Sequence, residues 1–151
     1  MQTTNGQFNT KNTYITKFMA VTSTLTQVTV TTIKLCIVMA VLYVIALAFN
    51  LIFCLTDPYM YMIFAPIFIY GLITVWLVYR CIKPNEISQM TRAISGDAYT
   101  GINVNEEKID SVVERTHEII GKLKFLNSLI TVNIILLMIG EGVIWLFRFI
   151  L

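Results

Sequence analysis

The stretch that decides the fold covers residues 129–150 and reads LITVNIILLMIGEGVIWLFRFI. It is long and apolar enough to cross a bilayer as a helix, for which about 20 residues suffice. It also carries Glu141 near its centre and Arg148 near its end. Its Leu, Ile, Val and Phe residues favour insertion by roughly 4 to 8 kcal/mol, against a cost of about 3 kcal/mol for one central charge. The segment is therefore predicted to insert.

Two further apolar runs of spanning length precede it, at residues 33–55 and 59–82. Only Thr56, Asp57 and Pro58 separate them, which predicts a tight helical hairpin with Pro58 at the start of the second helix. The whole chain is 56% hydrophobic and 13% charged, far from the average of soluble domains. The sequence thus predicts an all-α integral membrane protein with three transmembrane helices.

We divide the chain into four segments: a Thr-rich polar arm at 1–32, the transmembrane hairpin at 33–82, an inner-side amphipathic helical segment at 83–126, and the third transmembrane helix at 127–151. The arm is rich in β-branched residues, with eleven Thr before Lys34, and these favour strands. Because an isolated strand beside a bilayer has no partner for its backbone groups, we expect an extended arm or an irregular helical lead-in.

The segment at 83–126 divides into two predicted helices. A short amphipathic helix follows Pro84 and ends near Gly96, and a turn then extends to Gly101. A second helix begins near Asn103 or Asn105, since Asn103 and Glu106 have the spacing of a capping box. Only Gly121 could interrupt it before the third span. We therefore expect one continuous helix from about residue 105 to residue 150.

This second helix carries an apolar stripe with alternating steps of three and four residues. The pattern covers about two and a half heptads, fewer than a confident coiled coil requires. An exposed stripe of this kind needs a cover, so its residues are candidates for binding a partner helix. They are Ile109, Val112, Thr116, Ile119, Leu123 and Leu126.

Basic residues near the spans predict the orientation in the membrane, because cytoplasmic loops are enriched in Lys and Arg. Lys11, Lys17 and Lys34 lie before or at the start of the first span, seven basic residues lie from Arg80 through Lys124, and the hairpin tip has none. We therefore place the N-terminus and residues 83–126 on the cytoplasmic or matrix side and the C-terminus opposite. The N-terminal 32 residues lack the apolar core of a cleaved secretory signal and are free of acidic residues, a composition compatible with the mitochondrial inner membrane.

Glu141 is the main candidate for a functional role, because a carboxylate at membrane depth is rare and normally faces protein or water. Three interpretations stand open: an interhelical lock or a neutral, hydrogen-bonded Glu; a contact with a partner subunit; and an ion or proton site. Arg148 is expected to extend to the outer headgroups. Other polar positions in the spans favour interhelical hydrogen bonds. They are Tyr43, Asn50, Tyr70, Thr74 and Asn133.

No pattern in the sequence favours catalysis or cofactor binding. The three cysteines have no metal-ligand spacing, and His117 stands alone on a helix where we expect it to be solvated. Cys81 follows Arg80 at a helix end and is a candidate for palmitoylation. The net charge of +2 comes without a basic run, which excludes nucleic acid as a partner. We predict no enzyme, no cofactor, no metal and no small-molecule substrate.

The leading functional hypothesis is a small non-catalytic subunit, or an assembly or stabilising factor, of a larger membrane complex. It follows from spans too few to enclose much, polar membrane residues without obvious partners, and a stripe that needs a cover. One alternative is a homo-oligomeric ion or proton channel in which Glu141 lines the pore. Another is a membrane-shaping or tethering protein that pairs through residues 105–126. The partners predicted are membrane lipids and either other subunits or further copies of the chain.

Overall fold

The computed structural model describes residues 3–53, 58–82 and 106–150 and folds them into three α-helices. They are α1 (Thr3–Ile52), α2 (Pro58–Ile82) and α3 (Glu106–Ile150). No strand occurs in these ranges. Each helix contains a stretch long and apolar enough to cross a membrane, namely Ile15–Ile52, Tyr61–Ile82 and Ile109–Ile150. The predicted class, an all-α integral membrane protein with three transmembrane helices, is confirmed.

The start of α2 and the continuity of α3 follow the local signals in the sequence. α2 begins at Pro58, because the fixed φ of proline suits the first helical position and its missing N–H would be unpaired there anyway. α3 continues through Gly121 without interruption, so the continuous helix that we expected is confirmed. The short helix predicted after Pro84 and the turn up to Gly101 lie outside the described residues.

The Thr-rich N-terminal segment differs from the extended arm or irregular lead-in that we expected. It is a regular helix that continues directly into the first span. Its threonine hydroxyls bond back to the helix itself: those of Thr22, Thr24, Thr26 and Thr29 donate to carbonyl oxygens four residues earlier, at 2.8 to 3.0 Å. A helix satisfies its own backbone groups, and tertiary packing overrides the weak preference of β-branched residues for strands.

The chain forms two compact units, which we call unit 1 and unit 2. Unit 1 combines Met1–Thr29 with Cys81–Leu123, and unit 2 combines Val30–Arg80 with Lys124–Leu151. In unit 1, Val21 of α1 packs into a buried cluster with residues of α3, and partly buried α1 residues flank it. The α3 members are Ile109, Val113 and Ile120, and the flanking residues are Phe18, Leu25 and Val28.

The apolar stripe predicted to bind a partner helix is mostly buried within the chain itself. Ile109, Val112 and Leu123 are buried in unit 1, and Leu126 is buried in unit 2. Ile119 is half-buried, while its neighbour Ile120 lies in the core cluster. Much of the stripe is therefore packed within the chain, and the N-terminal part of α1, which we expected to be irregular, contacts Ile109 of α3. Binding of a partner helix stays a prediction.

Unit 2 is a three-helix bundle. Tyr43 of α1 contacts α3 at Asn133, and Asn50 contacts it at Glu141, so these two helices run parallel. α2, which lies between α1 and α3 in the sequence, runs antiparallel to both. The buried positions of α3 in unit 2 step by four and three residues, as in knobs-into-holes packing. They are Leu126, Ile130, Asn133, Leu137, Gly140 and Ile144.

Candidate functional site within the transmembrane bundle

One polar cluster joins all three helices of unit 2. The hydroxyl oxygen of Tyr43 on α1 lies 2.8 Å from Oδ1 of Asn133 on α3 and 2.9 Å from the carbonyl oxygen of Ile67 on α2. Nδ2 of Asn133 donates to the same carbonyl at 3.0 Å. Both side chains are buried. The single Tyr43 proton is shared between two acceptors, and the cluster links the three helices.

Gly71 of α2 makes room for this cluster. A Cβ atom at this position would lie 3.1 Å from the Tyr43 hydroxyl oxygen and 3.4 Å from Oδ1 of Asn133. Such contacts are tighter than ordinary van der Waals packing, so the absence of a side chain lets α2 approach the hydrogen-bonded pair. Gly140 of α3 also lets α2 approach closely, because a Cβ atom at this position would lie 3.2 Å from Cδ1 of Ile67.

A second polar pair contains Glu141. Nδ2 of Asn50 on α1 donates to Oε1 of Glu141 on α3 at 2.9 Å. Asn50 is only 8% exposed, and its Oδ1 is buried without a hydrogen-bond partner. Oδ1 of Asn50 therefore accepts no hydrogen bond, which is rare for buried polar atoms in native structures.

Glu141 lines a cleft of about 240 Å³ between α1 and α3. The other lining residues are apolar or aromatic, and Glu141 is the one with an ionisable group. From α1 they are Leu42, Ile45, Ala46 and Phe49, and from α3 they are Leu137, Met138 and Trp145. The cleft therefore places one carboxyl group at the edge of an apolar surface.

The remaining predicted site residues are not brought into this pair. Thr74 of α2 donates to the Tyr70 carbonyl of its own helix at 2.8 Å, while the Tyr70 hydroxyl lies 3.5 Å from the Leu129 carbonyl oxygen, the outer limit of a hydrogen bond. Arg148 is exposed. Cys81 is a half-buried free thiol. These positions serve packing or the surface and do not extend the Glu141 site.

Aromatic rings cluster at both ends of unit 2. Toward the ends of α1 and α3, Phe53 stacks on Phe49 and meets Trp145 edge to face at 5.1 Å between ring centres, and Trp145 stacks on Phe149. Near the end of α2, the Arg80 guanidinium lies over the Trp76 ring at 5.4 Å. Aromatic and basic side chains at such positions are typical of the two membrane interfaces.

The part of α3 that precedes the predicted span carries a surface ion pair. Nζ of Lys122 lies 2.8 Å from Oε1 of Glu118, one helical turn away. This hydrogen bond holds the pKa of Glu118 below its ordinary value and raises the pKa of Lys122. Both side chains are well exposed to solvent, so the pair contributes little to stability.

Sequence reasoning found the polar positions but missed how they combine. Tyr43 and Asn50 were expected on one stripe of α1, and both are buried there. The Ile67 carbonyl and the close approach of Gly71 carried no signal, because a backbone acceptor exists at every residue and one glycine in a helix is uninformative. The apolar cleft that Glu141 borders was not predicted either.

The fold and these pairs define a helical membrane protein whose buried polar groups tie three helices together. Comparisons with known protein families, with curated proteins and with solved structures find no match. In the described residues, no group of three or more His, Cys, Asp or Glu side chains could hold a metal ion. The function therefore has to be inferred from the contacts of the bundle itself.

Proposed function

We propose that the protein is a non-catalytic subunit, or an assembly or stabilising factor, of a larger membrane protein complex. The observation that supports this best is the distribution of polarity in unit 2. The polar side chains Tyr43, Asn50 and Asn133 are buried and bonded within the chain. The surface of all three helices is apolar and exposed. The exposed apolar faces of the bundle therefore form a surface on which other membrane subunits can pack.

The structure changes the basis of this proposal. Tyr43, Asn133 and the Nδ2 of Asn50 have partners inside the chain, and Ile109 of the stripe packs against α1. Neither feature calls for another protein. The proposal rests instead on the pre-organised bundle, because association of membrane helices depends on close packing of surfaces that are already folded. A bundle of three tied helices can add to a complex without rearranging.

We propose that the N-terminus and residues 83–126 lie on the cytoplasmic or matrix side of the membrane, following the basic residues that flank the spans. The tip of the hairpin and the C-terminus then lie on the opposite side. In this arrangement the charged surface of unit 1, which includes Lys17, Asp110 and Glu114, faces water and is a second surface for contacts with other subunits.

A homo-oligomeric ion or proton channel remains the second candidate, because Glu141 borders the open cleft. Against it stands the bond from Asn50, which turns the carboxyl group toward α1 of its own chain. A ring of acidic side chains around a pore would have to give up that bond in every copy. Reconstituted protein should conduct if the channel proposal holds, and Glu141→Gln should change selectivity. The tethering proposal loses support, since the stripe it needed is buried.

The test is purification in mild detergent and in lipid nanodiscs, with the mass of the particle and its stoichiometry measured. We expect a particle larger than the chain that contains other proteins in fixed ratio. A particle with only one copy of this chain would contradict the proposal, and one with several copies alone would favour the channel.

Tryptophan substitutions on the outward faces identify the contact surface. Ile37 of α1, Leu72 of α2 and Ile139 of α3 are each more than half exposed. A bulky side chain at a protein contact should release the other subunits, whereas the same side chain facing lipid should change nothing. We expect one of Ile37→Trp, Leu72→Trp and Ile139→Trp to dissociate the particle, and the other two serve as its matched controls.

A further inference from the structure

Two buried side-chain oxygens among the described residues have no hydrogen-bond partner, Oδ1 of Asn127 and Oδ1 of Asn50, and the one on Asn50 adjoins a carboxyl group. The Asn50 side chain is 8% exposed, and its Oδ1 has no hydrogen-bond partner. Its Nδ2, on the same amide carbon, donates to Glu141 Oε1 at 2.9 Å. A buried acceptor needs a donor, and the carboxyl group that the same amide contacts through Nδ2 has none to give when it is ionised.

We propose that Glu141 binds a proton in the folded bundle and forms a two-bond carboxylic acid–amide pair with Asn50. In this pair Asn50 Nδ2 donates to Oε1, as observed, and the proton on the other carboxyl oxygen is donated to Asn50 Oδ1. An amide and a carboxylic acid each present one donor and one acceptor side by side. The pair thus satisfies every buried polar atom of both side chains.

The geometry favours a proton over a larger cation as the ligand. Oδ1 of Asn50 is closed off from solvent, and Asn50 does not line the cleft that Glu141 borders. A metal ion or an organic ammonium entering from the cleft would reach the carboxyl group but not the unpaired oxygen. A proton carried by Glu141 needs no additional space and reaches it directly.

Among the described residues, those that line the cleft provide no positive charge to hold an ionised carboxylate. The cleft residues contributed by α1 and α3 are uncharged, and α2 packs against the adjacent turn of α3 through Ile63 and Ile67. Among the described residues of these helices, the nearest groups that can titrate or carry charge are Tyr43 and Arg148, each two helical turns from the pair along its own helix, and Tyr61 of α2, two residues from Ile63. An unpaired charge at membrane depth is costly, so the neutral acid is the stable form.

Proton release would weaken the contact between α1 and α3. It removes the O–H donor, leaves Asn50 Oδ1 unpaired again, and places a negative charge beside the apolar cleft. The pair is then held by one hydrogen bond in place of two. Glu141 and Asn50 therefore form a proton-binding site that tightens the helices beside the cleft, and this role does not depend on membership in a larger complex.

Infrared spectroscopy of the full chain in lipid nanodiscs tests the proposal directly. At neutral pH we expect the carbonyl stretching band of a protonated carboxylic acid, which disappears in Glu141→Gln. The band should shift to higher frequency in Asn50→Leu, because the acid loses its amide partner. It should stay unchanged in Tyr43→Phe, which alters the other polar cluster. Raising the pH should abolish the band in a single one-proton titration.

The labelled wild-type chain keeps the proposal falsifiable if Glu141→Gln does not fold. Carbon-13 glutamate should lower the frequency of the band, because the heavier carbonyl carbon of a glutamic acid side chain vibrates more slowly. The absence of a carboxylic acid band at neutral pH, or a band indifferent to the glutamate label, would overturn the proposal. A band that keeps its frequency in Asn50→Leu would overturn the acid–amide pair.

Discussion

Units 1 and 2 each contain part of α1 and part of α3 and both bury mainly apolar side chains, yet they differ in their buried polar residues and in what their surfaces expose. In unit 1 the core is Val21 with apolar residues of α3, while Asp110 and Glu114 are exposed. In unit 2, Thr32 and Asn133 are completely buried at 0% exposure, and apolar side chains cover the outside. With unit 1 outside the membrane, as proposed, we expect two driving forces along α3: exclusion from water in unit 1, and close packing with hydrogen bonding in unit 2.

The largest expected effect compares two buried isoleucines of α3. Ile120 in unit 1 and Ile144 in unit 2 are both 6% exposed. Ile120→Ala should destabilise unit 1 by about 3 kcal/mol, since both the transfer from water and the cavity contribute. Ile144→Ala should cost roughly 1 to 2 kcal/mol, because lipid is as apolar as the interior and only packing is lost.

Hydrogen exchange measured by mass spectrometry in nanodiscs, resolved for the two parts of α3, checks this pair. Faster exchange should be confined to the part that carries the substitution. Equal costs for the two variants would show that unit 2 gains from exclusion of water as unit 1 does, and the comparison would fail.

Two glycines of α3 give the next effect. A Cβ atom added at Gly121 or at Gly142 would meet nothing within 4 Å. Gly121→Ala should stabilise unit 1 by up to about 1 kcal/mol, since alanine favours the helix over the unfolded chain in water. Gly142→Ala should change little, because a membrane helix stays helical when its bundle comes apart. Thermal unfolding followed by circular dichroism measures both, and a stabilising Gly142→Ala would contradict this distinction.

Removal of one hydroxyl from the three-helix cluster should have a smaller effect. Tyr43→Phe keeps the ring contacts with Phe64 and Phe68 but removes the donor to Asn133. Interhelical hydrogen bonds in membranes average about 0.6 kcal/mol, so we expect a loss of this size in a detergent titration of bundle assembly. A loss of several kcal/mol would mean that the cluster, and not packing, holds unit 2 together.

The smallest effect concerns the surface pair of Glu118 and Lys122. Because the pKa of Glu118 is lowered in the folded chain, the pair stabilises above the ordinary carboxyl range and the contribution is lost as the pH falls through it. Both groups are exposed, so Glu118→Gln should leave the melting temperature of unit 1 unchanged. A melting temperature that becomes less sensitive to acid in this variant would show that the pair matters more than its exposure indicates.

The sequence predicts most of the helical framework, because its signals are local. Pro58 starts α2, and a single Gly121 does not interrupt α3. The N-terminal part of α1 was missed because its helicity depends on packing against α3, with Val21 among Ile109 and Ile120. Such a distant contact has no local sequence signal, and the threonines taken alone favour strands.

The sequence identifies the polar residues of the site but not which of them contact each other. Within a span nearly every residue is apolar, so hydrophobic periodicity cannot show which face is inward, and only polar residues such as Asn50 and Glu141 stand out. Helical spacing places them on stripes. Which stripe faces which depends on the rotation and depth of each helix, and these are set by small residues such as Gly71 and Gly140.

The two tryptophans give the protein a pair of built-in optical reporters. The chain contains two Trp, Trp76 near the end of α2 beside Arg80 and Trp145 near the end of α3 among phenylalanines. Since α2 and α3 run antiparallel, the two indoles lie at opposite ends of unit 2. Single-tryptophan variants in sealed vesicles would therefore fluoresce from different leaflets. A water-soluble quencher added outside would dim one of them and reveal which way the chain is inserted.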